Sequence, residues 1–195
     1  MRSRLRRRET ALGIIVAVLL GAIALRAPVF VSAGSLDTLL TDGGILAIMA
    51  LAQMLALLTR GIDLSIAANM ALTGMVTALL SRAHPDMPVY LTVAVSLGTG
   101  LLLGALNGGL IAFLEMPPIV VTLGTMSIYR GLVFWASGGD WVNAHELGER
   151  FVAFPNERLL GLTHNVWIAL LVITAFALFL LAFLGWLAFG YCFFR

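Results

Sequence analysis

The chain has 195 residues, of which 61% are apolar and 11% are charged, and its mean hydropathy is +1.01. A soluble domain carries about 25% charged residues, so this chain has too few charges to cover a water-exposed surface. The composition excludes a soluble globular enzyme, a nucleic-acid-binding protein and a disordered chain. Because a spanning helix needs about 20 mostly apolar residues, the length predicts one all-α, polytopic membrane bundle of about six transmembrane helices.

The positive charge is concentrated at the N-terminus. All twelve cations are arginines, and five of them lie in the first eight residues; with Glu9, residues 1–10 carry +4 and the remainder −2. Arginines that flank a first span keep that end in the cytoplasm. We therefore expect residues 1–10 to be a basic cytoplasmic tail, with no nucleic-acid partner. The single cysteine, Cys192, excludes a disulfide framework within the chain.

Apolar segments separated by turn-forming residues predict the spans after this tail. The first is expected to be uncleaved and to lose regular structure at Pro28, although a signal peptide cleaved after Ala33 is the alternative. Residues 36–42 are expected to be a connection. The spans are predicted at about 11–31, 44–59, 63–81, 89–114, 119–137 and 165–194.

Six crossings from a cytoplasmic N-terminus fix the side on which each connection lies. The turns at Arg60 and Glu115 are then cytoplasmic, while the turn 82–88 and the polar loop 138–164 lie outside. That loop is either a docking face, through Asp140, Glu146 and Glu149, or a solvated connector. The connector would rest on the membrane interface through its aromatic side chains, Trp141, Phe151 and Phe154.

Polar side chains recur at every fourth position of the third span. Because an α-helix has 3.6 residues per turn, they form a slanted stripe that must face protein or water. They either join helices, each hydroxyl bonding a carbonyl of its own helix, or line a polar pathway. Asn69 favours the pathway, since a buried amide is hard to satisfy locally. The stripe consists of Ser65, Asn69, Thr73, Thr77 and Ser81.

Glycines at Gly100, Gly104 and Gly108 predict a groove on the fourth span that lets another helix approach closely. Asn107 lies between them and would contact either a substrate or a neighbouring helix. At the start of the third span, Asp63 is placed to cap the helix by accepting from the amide of Ser65 or Ile66. The rival interpretation is a helix broken within the membrane, with its end facing a transport route.

The fifth span begins with a proline and carries small polar groups. Pro118 suits the first turn of a helix, and Thr122, Thr125 and Ser127 follow it. Arg130 is either a functional cation, or it snorkels to the interface or pairs with Asp140.

Motifs for catalysis or metal binding are missing from the sequence. The stretch His145–Glu149 has glutamate where a zinc motif needs its second histidine, and no phosphate-binding loop occurs. We expect no catalytic residue, no metal and no cofactor, and therefore no ATP hydrolysis by this chain.

Two stretches carry a family resemblance: GIDLSIAANMALTGMVTALL at 61–80 and GALNGGLIAFLEMPPIVVTLGTMSIYRGL at 104–132. In order and spacing they resemble the permease subunit of ribose-type ABC monosaccharide importers, over residues 11–179. The stretch SGGDWVNAHEL at 137–147 resembles the rhamnose branch more weakly. The positions that fall on the family's motifs are Asp63, Asn107, Pro118, Thr122, Gly124, Thr125 and Arg130.

The resemblance implies an inner-membrane permease subunit that pairs with a second permease, two cytoplasmic ATP-binding subunits and a periplasmic sugar-binding protein. On this interpretation the sugar pathway is lined by Asn69, Thr73, Asn107, Thr122 and Thr125. The family would continue after Phe179 with a basic segment that docks into the ATPase, whereas residues 180–195 are apolar. We therefore expect a truncated product with a non-family tail at 180–195. A small membrane scaffold that binds another permease is the alternative function.

Overall fold

A computed structural model describes the backbone of residues 2–193 and the side chains of residues 10–182. The chain divides into two compact units, the first comprising residues 1–43 and the second starting at residue 44. The helices are α1 Arg2–Arg26, α2 Ala33–Leu58, α3 Ile66–Ala83, α4 Val89–Phe113, α5 Pro118–Ser137, α6 Glu149–Ala153 and α7 His164–Phe193. A short antiparallel hairpin, β1 Arg158–Leu159 and β2 Leu162–Thr163, precedes α7.

The all-α membrane architecture predicted from composition is confirmed. In the described part of the chain, five helices are long and apolar enough to cross a bilayer: α2, α3, α4, α5 and α7 up to Ala182. The predicted first span contributes only the shorter apolar stretch Thr10–Arg26. The observed bounds of α4 and α5 lie within one residue of the prediction. The last residue of the predicted sixth span, Phe194, lies outside the described residues.

In the first unit, helix α1 begins at Arg2 and therefore includes most of the tail that was set apart at 1–10. The helix ends at Arg26, and Pro28 opens a short 3-10 turn over Pro28–Val31. Proline has no amide hydrogen to continue an α-helix, so the predicted effect of Pro28 is confirmed. The regular helix is consequently shorter at this end than the predicted 11–31.

The connection expected at 36–42 is wrong, because these residues are helical and belong to α2. Leu36, Leu39 and Leu40 follow helical spacing. The hydroxyl of Ser32 accepts from the amide of Ser35 at 3.4 Å, which supports the new helix start. The acidic residues suggested a loop, but no proline interrupts this segment.

The core of the second unit is small and mostly polar, as a lipid environment allows. Helix α3 packs against α4 and α5, and Ala68, Leu72 and Tyr129 form the buried centre. Among the described residues, eight polar side chains are buried against six apolar ones. Large apolar groups such as Phe113 are instead 88% exposed. Lipid solvates such groups, so burying them gains little and helices associate through close packing and hydrogen bonds.

The connections of the second unit alternate between two ends. At one end, a Cβ added to Gly61 would lie 3.3 Å from Cβ of Pro118, so the turn after α2 touches the start of α5. At the other end, Arg82 Nη1 lies 3.2 Å from Glu146 Oε2. The predicted pairing of the four connections is therefore confirmed. We call the first end the Gly61 end and the second the Glu146 end.

The loop at the Glu146 end is folded onto the turn between α3 and α4. The amide of Gly148 donates to the hydroxyl of Ser81 at 3.1 Å, and Asn143 donates to Glu146 at 2.9 Å. Glu146, proposed for docking a partner, is thus used within the chain. Asp140 and Glu149 remain exposed.

Of the three aromatic side chains expected to rest on the interface, Phe151 and Phe154 are half-buried and Trp141 is 86% exposed. Phe154 also stacks on His164, with ring centroids 5.0 Å apart.

Candidate functional site

The turn from α2 into α3 is held by its own side chains and backbone. Arg60 adopts a left-handed conformation with φ +60°, and the amide of Gly61 donates to the carbonyl of Ala56 at 2.9 Å. This 6→1 bond and the one from Arg60 to Leu57 make a Schellman ending of α2. The chain therefore reverses in a few residues and leads directly into the start of α3.

Asp63 holds Ser65, the residue directly before α3, in place. Its Oδ1 accepts from the Ser65 amide at 2.8 Å and from the Ser65 hydroxyl at 2.7 Å. The predicted hydrogen bond from the amide of Ser65 is present. Arg60 is exposed, and no ion pair joins it to Asp63 in the described part of the chain.

Asn107 links this start to the other two core helices. Its side-chain amide donates to the hydroxyl of Ser65 at 2.7 Å, and Tyr129 on α5 donates to Asn107 Oδ1 at 3.4 Å. Tyr129 also donates to the carbonyl of Leu103 on α4 at 2.9 Å. Ser65, Asn107 and Tyr129 are each at least 96% buried. We call Asp63, Ser65, Asn107, Thr122 and Tyr129 the Asn107 cluster.

Thr122 completes the cluster from α5. Its hydroxyl donates to the carbonyl of Ile62 at 3.2 Å and is buried. Thr125, one turn further along, is also buried, but its hydroxyl donates to the carbonyl of Val121 in its own helix at 3.0 Å. Thr122 therefore ties α5 to the turn before α3, whereas Thr125 satisfies itself locally.

The polar stripe on α3 runs from this cluster toward the Glu146 end. Asn69 donates to the carbonyl of Gly100 on α4 at the limiting distance of 3.5 Å, and Thr73 donates to Asn69 Oδ1 at 3.2 Å. Thr77 donates to the carbonyl of Thr73 at 2.7 Å, the pattern expected for hydroxyls that satisfy their own helix. Asn69 and Thr73 are only half-buried, while Ser65, Thr77 and Ser81 are buried.

The predicted glycine groove is occupied at one of its three positions. A Cβ on Gly100 would meet Thr73 Oγ1 at 3.7 Å and Asn69 Oδ1 at 3.9 Å, so α3 packs there. A Cβ on Gly104 or Gly108 would meet no described atom within 4 Å. Close helix approach at the groove is thus confined to Gly100 in the described structure.

The remaining motif positions on α5 differ in their surroundings. Pro118 lies in the first turn of the helix, as predicted. Gly124 and Arg130 are exposed, and no ion pair joins Arg130 to Asp140 among the described residues. These two positions face away from the Asn107 cluster.

Tyr129 is the member of the cluster that the sequence interpretation missed. The sequence interpretation gives it no role, yet Thr122, Thr125 and Tyr129 occur at helical spacing and share a face. An aromatic side chain with a hydroxyl, aligned with two buried threonines, was the available signal. Apart from the Asp63 carboxylate, the cluster consists of neutral hydrogen-bonding groups, which suit helix association and contact with uncharged polar ligands.

The family model for "branched-chain amino acid transport system / permease component" matches residues 35–191. The chain belongs to this permease family. The match extends past residue 179, where the family-like domain was predicted to end. Together with the five long apolar helices, membership makes the chain a multi-pass protein of the bacterial inner membrane.

Curated relatives of this permease carry a narrower name. Autoinducer 2 import system permease protein LsrC of Shigella flexneri is 31% identical over 169 residues, which are 85% of this chain and 46% of the relative. The LsrC protein of Enterobacter sp. (strain 638) is 32% identical over 142 residues, 73% of this chain and 41% of the relative. That of Salmonella typhi is 30% identical over 168 residues, 85% and 46%.

The permease chain spans about half the length of the curated relatives it matches. No solved structure matches it. The predicted resemblance to ribose-type importer permeases is confirmed at the level of the family, while the rhamnose branch stays a prediction.

Proposed function

We propose that this chain is part of the membrane-spanning subunit of a binding-protein-dependent importer that carries a small, uncharged, polar molecule of the monosaccharide class. The family match over most of the chain carries the proposal. The name shared by the curated relatives makes autoinducer 2 the first cargo to test. Ribose and rhamnose follow from the resemblance of the 61–80, 104–132 and 137–147 stretches.

The contacts of the polar residues suggest a division of roles. Asn107 and Thr122 are buried and bonded to other elements, so we assign them to holding α3, α4 and α5 together. Thr125 is buried and bonded within its own helix, so we assign it no contact with the cargo. Asn69 and Thr73 are half-buried, and the bond from Asn69 to Gly100 is long. These two side chains can exchange their partners for a cargo hydroxyl, and we propose that they line the pathway.

Uptake of labelled cargo tests this division. A version extended to the full length of the relatives is compared with the chain as given, each expressed with the other components of the importer in a strain that lacks the corresponding permease. The full-length version should take up one compound in a panel of autoinducer 2, ribose and rhamnose. The Asn69→Ala and Thr73→Val variants should lose uptake at unchanged membrane abundance. Ser127→Ala is the matched control, because Ser127 is exposed and donates only to Leu123 of its own helix.

Two results would count against the assignment. If Asn69→Ala lowers membrane abundance in proportion to uptake, the residue joins helices and does not line a pathway. If no compound in the panel is taken up by any form of the protein, the cargo class is wrong.

The proposed partners are a second permease subunit, two cytoplasmic ATP-binding subunits and a periplasmic binding protein. Mild-detergent purification of the tagged chain should recover the ATP-binding subunit in two copies. The alternative, a membrane scaffold that docks another permease on the open face at Gly104 and Gly108, predicts recovery of a permease without the ATPase. Substituting both glycines by leucine would abolish that recovery.

A further inference from the structure

The hairpin before α7 has a polar base and an apolar tip. Arg158 pairs with Thr163 at the base, and Leu159 pairs with Leu162 next to the turn. The two turn residues, Leu160 and Gly161, both have positive φ, +54° and +86°. Positive φ at both central positions is the pattern of the tight hairpin turn that matches strand twist, and it normally selects asparagine, aspartate or glycine.

Leucine at the first turn position is unfavourable in water for two reasons. A side chain with a Cβ is strained in the left-handed region, and Leu160 is 86% exposed. Leu159, its neighbour, is 54% exposed. Water offers these two exposed side chains no stabilising contact, whereas an apolar environment would.

The hairpin lies alongside the beginning of a spanning helix. The indole nitrogen of Trp167, in the first turn of α7, donates to the carbonyl of Leu159 at 2.9 Å. Leu159 and Phe154 also line a groove of about 630 Å³ that continues along α7 through Ile168 and Leu171 as far as Leu178. Leu159, next to the hairpin tip, is therefore continuous with an exposed apolar surface of α7.

Exposed aromatic side chains mark the level of the membrane interface at this end of the bundle. Tyr90, the second residue of α4, is 71% exposed, and Trp135, near the end of α5, is 82% exposed. Tyrosine and tryptophan are enriched where the acyl chains meet the headgroups. Trp167 lies in the first turn of α7, and the hairpin is hydrogen-bonded to it through the carbonyl of Leu159.

We propose that the β1–β2 hairpin is an interfacial anchor, in which Leu159 and Leu160 insert into the acyl-chain region of the leaflet that covers the Glu146 end. The charged residues Glu157 and Arg158 stay among the headgroups. The anchor fixes the end of the 138–163 loop to the bilayer, while the ion pair of Arg82 and Glu146 fixes its middle to the bundle. The loop is thus held at both points during any movement of the helices.

Spin-label accessibility in vesicles tests the anchor. In a Cys192→Ser background, the purified chain with Leu160→Cys is labelled and reconstituted into phosphatidylcholine–phosphatidylglycerol vesicles. Oxygen, which concentrates in lipid, should relax the label more strongly than a water-soluble nickel chelate, as it should at Leu171→Cys, whose site on α7 is 69% exposed. The exposed Glu149→Cys on α6 should show the opposite preference.

A label at Leu160 that behaves like the one at Glu149 would overturn the proposal. So would a label that neither reagent reaches, because it would show the tip buried against protein.

A second variant distinguishes insertion of the hairpin tip into lipid from formation of the turn alone. Leu160→Asn keeps the left-handed conformation, which asparagine tolerates, but removes the apolar tip. A label at Leu159→Cys should then shift toward the nickel reagent, while the label at Leu171→Cys is unchanged and reports that the helix is intact. No shift at Leu159 would contradict the anchor.

Discussion

The hydroxyl of Ser65 accepts a hydrogen bond from the side-chain amide of Asn107 at 2.7 Å across 42 positions of sequence. The same hydroxyl donates to Asp63 at 2.7 Å, so it acts both as a donor and as an acceptor. Because Tyr129 reaches Asn107 from the third helix, one amide joins the start of α3, the C-terminal part of α4 and the buried face of α5. In a bilayer, where apolar burial contributes little to helix association, such bonds select the packing partner.

Replacing Asn107 by alanine should therefore loosen the three-helix core. We expect Asn107→Ala to lower the free energy of unfolding in detergent by about 1–2 kcal/mol, the size of a hydrogen bond between membrane helices. Thermal unfolding followed by aggregation-sensitive chromatography measures the change. Asn156→Ala is the matched control, since Asn156 is exposed and donates only to Val152. Equal losses for the two variants would show that the Asn107 cluster adds no stability.

Gly148 tests how the 138–163 loop packs on the turn between α3 and α4. A Cβ at this position would lie 2.5 Å from the carbonyl oxygen of Pro85, a contact with backbone that cannot swing away. Gly148→Ala should therefore detach the loop from the α3–α4 turn and expose the amide that now donates to Ser81. Limited proteolysis of vesicles should cut the 144–150 segment faster than in the unmodified chain. Gly131→Ala, at an open position of α5, should leave the cleavage rate unchanged.

Sequence patterns predicted the long helices because hydropathy and prolines depend on local chemistry. Pro28 and Pro118 act where they were expected to act. The bond between Asp63 and Ser65 was also predictable, since its partners are two residues apart. The start of α2 was missed because the acidic residues Asp37 and Asp42 masked a leucine pattern that no proline interrupts.

The rest of the site depends on helix register, which single-helix patterns do not contain. Asn107 could have faced a cargo or a helix, and only the depth at which α3 and α5 meet α4 selects Ser65 and Tyr129 as its partners. The glycine groove illustrates the same limit, because three equivalent positions on α4 have unequal neighbours. A Cβ added to Gly100 would contact α3, whereas one added to Gly104 or Gly108 would meet nothing within 4 Å.

The contacts of Glu146 with Asn143 and Arg82 should depend on pH. Hydrogen bonds from Asn143 and Arg82 lower the pKa of Glu146 below its usual value. A carboxylate whose pKa is lower in the folded protein contributes stability that is present above the unfolded value and is lost as the pH falls through the folded value. Protection of the loop amides from hydrogen exchange should therefore be constant near neutrality. It should decline below roughly pH 4.3, the ordinary pKa of glutamate.

Hydrogen–deuterium exchange of residues 144–150, corrected for intrinsic rates, measures that protection. Glu146→Gln should lower protection at neutral pH and flatten its pH dependence, because the amide keeps the shape but loses the charge that faces Arg82. An unchanged pH profile in Glu146→Gln would assign the dependence to another group. The exposed Glu149→Gln serves as the control.

The close contact between α2 and α7 predicts that a larger side chain at Gly44 is tolerated better when Ala169 is made smaller. A Cβ added to Gly44 would lie 2.8 Å from Cβ of Ala169, closer than two such atoms approach, so the two helices meet there at backbone distance. Gly44→Ala should cost about 1–3 kcal/mol of unfolding free energy through overpacking. Ala169→Gly alone should cost up to about 1 kcal/mol, the helix penalty of glycine. Combined, the two substitutions should be less destabilising than their sum, because one methyl group replaces the other. Additive losses in the double-mutant cycle would show that α2 and α7 do not meet at this pair.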